Sequence, residues 1–234
     1  MDERIKQARL LYERAVFTGE TAPLAEADRQ LDAAEAALNA SEADLAVARG
    51  RILHTRFLLR RDQDPAAAEA DPGELALFER AAQLYQELGN VSGESEALFW
   101  VGCFHQVARR DNATALPALE RSLELASQAG DKAVMAEVLR HLGIEAHAAG
   151  RLDAARQRLE ESTQLRREIG QLPGAAANLV GLAYIAAAQD RYDDALALLD
   201  EAGAIAGASN AQRILEQVNE ARAALPAQPG RRLA

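Results

Sequence analysis

"AEVLRHLGIEAHAAGRLDAARQRLEES", residues 136 to 162, lies over "AANLVGLAYIAAAQDRYDDALALLDEA", residues 176 to 202, at a constant offset of 40. Leu139 matches Leu179, Leu142 matches Leu182, Gly143 matches Ala183, Ala146 matches Ala186, Ala155 matches Ala195 and Leu159 matches Leu199. An internal period of this length marks a repeat array, in which each unit buries its apolar face against the next. "EALFWVGCFHQVARR", residues 96 to 110, joins the series one repeat earlier. There Leu98, Val101, Gly102 and His105 take the same slots, followed by Ala115, Leu119 and Ser122.

Each unit reads as two helices. The first apolar set falls at i, i+3, i+4 and i+7, one helical face, and the second at i, i+4 and i+7 after a short polar turn. Small residues at the Gly102, Gly143 and Ala183 positions let the paired helix approach closely. Gly89, Gly130 and Gly170 stand where helices should end, and Ser41, Asp71 (followed by Pro72 and Glu74) and Ser209 stand where N-caps are wanted.

Composition agrees with an all-helical chain. Of 234 residues 49% are hydrophobic but only 4% aromatic, so much of the apolar content is alanine and the core must come from closely approaching backbones. No run of alternating β-branched residues appears. A net charge of −10 is the wrong sign for neutralising phosphates, which excludes nucleic acid as the expected partner. One cysteine rules out an internal disulfide framework, "MDERIKQARLLYERAV" has no apolar leader core, and no segment approaches a membrane span. The expectation is a soluble cytoplasmic protein with no membrane contact.

The slots filled by Leu139, Leu142, Gly143, Ala146, Gly150, Ala155 and Leu159, and again by Leu179, Leu182, Ala183, Ala186, Tyr192, Ala195, Leu199 and Ala202, resemble the tetratricopeptide repeat. The period of 40 rather than 34 is similar to the longer-helix variants of bacterial sensory and scaffolding proteins. The resemblance implies an all-α, right-handed superhelical solenoid of antiparallel helix pairs, with about five repeats and a C-terminal capping helix over 209 to 224 carrying Ile214, Leu215 and Val218. Residues 1–224 would form a single domain and 225–234 a disordered tail. In the N-terminal half, Ala8, Leu11, Tyr12 and Ala15 followed by Ala27, Leu31 and Ala34 give a first unit. A second runs from Leu45, Ala48 and Ile52 to Phe78 and Ala81 through the loop 60–73, although Arg49 and Arg51 leave its register open.

Catalytic and metal chemistry find little support. His141 and His147 are six residues apart, so they diverge by about 120° around a helix and cannot chelate one metal together. Cys103 and His105, two apart, do not face each other as nucleophile and base would. No cofactor, metal or catalytic residue is expected, and the chain is read as a non-enzyme.

The resemblance also places a working surface, because in such arrays the first helix of each unit lines a concave groove. The slots one residue beyond the packing set are Phe99, Trp100, Cys103, Gln106 and Val107, then Arg140, His141, Ile144 and His147, then Val180, Gly181, Tyr184 and Ala187. These make residues 96 to 108 apolar nearly all round, a helix either buried on every side or awaiting a partner. The slots lack the lysines and asparagines with which many tetratricopeptide proteins clamp acidic C-termini. They favour an apolar or amphipathic segment of another protein, with Arg140 and His141 or His147 available to one anionic group. The leading expectation is an adaptor or regulatory protein that binds such a segment. A small-molecule sensor or enzyme with an apolar pocket inside the superhelix, and a homodimer formed through the same face, are the alternatives.

Overall fold

The structure, a computed structural model, describes residues 1–64 and 69–225. Four residues of the loop 60–73, and all of the expected tail except Leu225, lie outside that range. The described residues form ten α-helices and no strand: α1 (Glu3–Thr18), α2 (Ala22–Gln63), α3 (Pro72–Glu87), α4 (Val91–Cys103), α5 (Asn112–Ala129), α6 (Lys132–Ala148), α7 (Leu152–Glu168), α8 (Leu172–Ala188), α9 (Tyr192–Ala208) and α10 (Gln212–Ala224). Consecutive helices pack as pairs. The chain divides into two compact units, Met1–Trp100 and Val101–Ala234. None of the helices is long and apolar enough to cross a membrane.

The C-terminal unit follows the repeat closely. Ala115, Ala155 and Ala195 are fully buried, as are Ser122 and Ser162, and Leu119, Leu159 and Leu199 are nearly so. The leucines explain the small residues opposite them. A Cβ on Gly102 would lie 2.6 Å from Leu119 Cγ, and one on Gly143 3.0 Å from Leu159 Cγ. Helix α10 covers the last pair with Val218 and Ala221 buried and Ile214 and Leu215 half-buried.

Turns recur with the same period. Arg110, Gly150 and Asp190 close the turns after α4, α6 and α8, and all three have positive φ (54°, 75° and 59°). An L side chain costs about 1–2 kcal/mol in that region, more than glycine loses by its freedom in the unfolded chain. Arg110→Gly is therefore expected to raise the urea midpoint by a gain of about 0.5 kcal/mol, and Gly150→Ala to lower it by about 1 kcal/mol.

Gly102 precedes Gly143 by 41 residues, while Leu119 precedes Leu159 by 40, so the earlier unit carries one extra residue between its helices. A single π-helical turn, Phe104–Ala108, absorbs it at the end of α4. The register shift corrects one expectation: His105 is half-buried rather than packed in the slot that Ala146 fills, while Phe104 lies in the core as the packing set requires, 1% exposed.

In the N-terminal unit the expected helix boundary at Ser41 is absent. Residues 22–63 form one helix of 42 residues, because nothing between Leu24 and Arg49 breaks it and Ser41 Oγ donates to Ala37 O at 3.0 Å within the helix. Helix α2 thus serves as the second helix of the first pair and the first helix of the next. Its face toward α3 is Ala43, Ala46, Val47, Gly50, His54 and Phe57, not Leu45, Ala48 and Ile52, which are exposed. That register resolves Arg49 and Arg51, both of which face outward. Gly50 is required inside the helix: a Cβ there would lie 2.4 Å from Phe78 Cε1. On α1, Ala8 and Ala15 are buried while Tyr12 is exposed, and across the pair Ala27 and Ala34 are buried while Leu31 is exposed, so alanines rather than the larger residues make this contact.

Among the caps, Asp71 accepts from Gly73 N at 2.8 Å as expected, and Gly89, Gly130 and Gly170 all have positive φ. Ser209 instead ends α9, since a left-handed Asn210 (φ 53°) postpones α10 until after Ala211.

Candidate functional site

The first helices of the C-terminal unit, α6 and α8, with the residues that follow Val101, carry most of the expected groove slots. The structure sorts them by depth. Cys103 and Val180 are buried, Gln106, Arg140, His141 and Gly181 are half-buried, and Ile144, His147 and Tyr184 are exposed. Burial of Cys103 and Val180 corrects the expectation that they face a partner. Cys103 lies against His141 of α6, and Val180 belongs to the apolar cluster with Leu159 and Leu179.

Half-buried polar slots are joined to one another. His141 Nδ1 donates to Gln106 Oε1 at 2.6 Å, Gln106 Nε2 donates to His141 O at 3.0 Å, and Cys103 Sγ lies 4.0 Å from His141 Nε2. Sequence spacing set Cys103 apart from His105, and the histidine beside it, His141, comes from the next repeat. The thiol, imidazole and amide stand in the order of a nucleophile, base and orienting group, but Cys103 is buried, 3% exposed. No three His, Cys, Asp or Glu side chains are placed to hold a metal among the described residues.

Arg140 belongs to a second chain of bonds. Its Nη1 donates to Asn178 Oδ1 at 2.7 Å, Asn178 Nδ2 donates to Ser162 Oγ at 2.8 Å, and Ser162 Oγ donates to Ala136 O at 2.6 Å. Burial, and to a lesser extent the Arg166 guanidinium, push Arg140 below the ordinary arginine range. Arg166 in turn pairs with Glu137 at 2.7 Å. Asn178, fully buried, ties three helices together and was not singled out by the repeat pattern. Its signal was present nonetheless, as the one hydrogen-bonding side chain between Ala175 and Ala183.

Phe99 and Trp100 fall in the N-terminal unit. Phe99 is buried, 3% exposed, which again corrects its expected outward role. Trp100 is half-buried, stacked on Phe78 at 5.5 Å, edge-on to Phe99 at 5.0 Å and His54 at 5.5 Å, with the Arg51 guanidinium 5.5 Å from its ring. An aromatic cluster so formed is a core feature, and Trp100 packs beside the buried Ala43, Ala46, Ala81 and Ala97 cluster, whose small side chains leave room for the rings.

Residues 104–168 match the family model described as "Tetratricopeptide repeat". No curated protein matches the chain. Among solved structures, the crystal structure of BtubC (BKLC) from P. vanneervenii is similar at 16% identity, covering 99% of this chain and 94% of that one, with a TM-score of 0.41. The matched segment carries tetratricopeptide repeats, and its Gly143 and Leu159 slots reappear forty residues on at Ala183 and Leu199.

Proposed function

We propose that the C-terminal unit binds a segment of a partner protein across α6 and α8, without performing chemistry on it. The observation that carries this reading is the pair Ile144 and Tyr184. They occupy one repeat slot on successive first helices, 40 residues apart, and remain 41% and 40% exposed although Cys103 and Val180 are buried and Gln106, Arg140 and His141 are hydrogen-bonded within the fold. Tetratricopeptide domains in general bind protein segments, and an aliphatic and an aromatic side chain side by side suit an apolar or amphipathic one. His147, one turn beyond Ile144, offers a polar contact at the edge. Gln106, Arg140 and His141 fix the surface from beneath.

A photo-crosslinking amino acid at position 144 of the full chain, irradiated in native extract, is expected to yield a discrete protein adduct that Tyr184→Glu abolishes. An adduct that survives Tyr184→Glu, or that forms equally from position 157 on α7, would reject the surface. A closed apolar pocket for a small molecule is less favoured. A depression of about 330 Å³ on this unit lies against α7 and α9, with Arg156, Glu160, Arg191, Asp194 and Glu201 among its lining residues.

A further inference from the structure

A different face, on the N-terminal unit, remains without a role in the fold or in the proposed binding surface. Leu24, Leu31, Leu38, Leu45, Ile52 and Leu59 follow one another at intervals of seven along α2, and each is between 41% and 68% exposed. Three residues after the first five stand Ala27, Ala34, Ser41, Ala48 and Thr55, all small. A strict heptad of large and small residues is the pattern of a helix that packs closely on another helix along a left-handed seam. Helix α1 covers Ala27 and Ala34, but Ser41, Ala48 and Thr55 are exposed. Two open depressions lie along the seam. One, of about 650 Å³, is bordered by Ile5, Leu31, Leu38 and Ser41; the other, of about 480 Å³, by Ala48, Ile52 and Thr55.

Charge identifies the occupant. Residues 22–44 carry six carboxylates and a single arginine, Arg29, whereas residues 45–63 carry five arginines and a single carboxylate, Asp62. A helix acidic along one half and basic along the other is complementary to itself when reversed. We propose that two copies of this chain associate through α2, antiparallel, about a two-fold axis near Glu42. Leu24 of one copy then lies toward Leu59 of the other, Leu31 toward Ile52 and Leu38 toward Leu45. The flanking heptad Asp28, Glu35, Glu42, Arg49 and Arg56 sets Asp28 beside Arg56 and Glu35 beside Arg49 of the second copy. Glu42, which would meet itself at the axis, is already neutralised by Arg80 Nε at 2.9 Å. A parallel pair would stack acid on acid and base on base. A helix of another protein or a lipid surface would not require the reversal of charge at the midpoint of the seam.

The test is the mass in solution of the purified full chain at tens of micromolar, by light scattering after size exclusion. The expected value is twice 25.2 kDa. L38E/L45E, placed on exposed positions, is expected to fall to the single-chain mass with its helical circular dichroism retained. E35R and R49E are each expected to weaken association about tenfold, and their equimolar mixture to restore it, because each chain then supplies the sign the other lost. A single-chain mass for the unmodified protein, whether the seam is then left to another protein's helix or to a lipid surface, overturns the proposal. So does a dimer that survives L38E/L45E, or a mixture no tighter than its components.

Discussion

Leu159→Ala is expected to destabilise the C-terminal unit by about 3 kcal/mol, read as a lower urea midpoint at unchanged slope. Leu159 is 2% exposed and stands against two glycine positions at once: a Cβ on Gly143 or on Gly181 would come within 3.0 Å of it. Both helices therefore approach on the assumption of a leucine between them. Flanking side chains are mainly alanines, Ala146, Ala155, Ala176 and Ala183, which have no atoms to spare for filling the void. The same truncation at the exposed Leu172 should cost a few tenths of a kcal/mol at most.

His54→Ala is expected to cost about 3 kcal/mol in the N-terminal unit, for a different physical reason. Glu74 is fully buried in the first turn of α3, and His54 Nδ1 donates to its Oε1 at 2.7 Å. Its other oxygen has no hydrogen-bond partner among the described residues. Removing the ring leaves a buried carboxyl group with less of the little compensation it has. Replacing both residues with apolar ones, His54→Leu with Glu74→Met, should recover most of the loss, since the buried polar group and its partner go together. A double-mutant cycle would show the two residues strongly coupled; additive losses would mean that His54 acts through packing against Phe57 and Trp100 alone.

These two sites differ in how far the sequence discloses them. The Leu159 slot recurs at Leu119 and Leu199, so periodicity alone places it in the core and names the glycine opposite. His54 and Glu74 recur nowhere, and their meeting depends on the register of α2, which hydrophobic spacing could not decide. The seam of Leu45 and Ile52 is as regular as a packing face, while the true face is built from Ala43, Ala46 and Gly50, whose small side chains give a weak periodic signal. Ser41 looked like a cap because capping residues are recognised by type, yet its hydroxyl is satisfied just as well by Ala37 O inside a helix. In the expected groove, exposure was legible only where the slot held a long side chain, at Ile144, His147 and Tyr184. Depth at Phe99, Cys103 and Val180 depended on their neighbours in space, Trp100, His141 and the Leu159 cluster, which no residue count conveys.

The proposed binding surface across α6 and α8 is tested most directly by affinity. Peptides selected by display on the immobilised full chain can be titrated calorimetrically against the unmodified protein and against Ile144→Glu/Tyr184→Glu. If the two exposed slots are the anchors, the double variant should bind at least about thirty-fold more weakly while its unfolding midpoint stays within the range of surface substitutions. Equal affinity for the two chains would contradict the assignment of this face as the working surface of the protein.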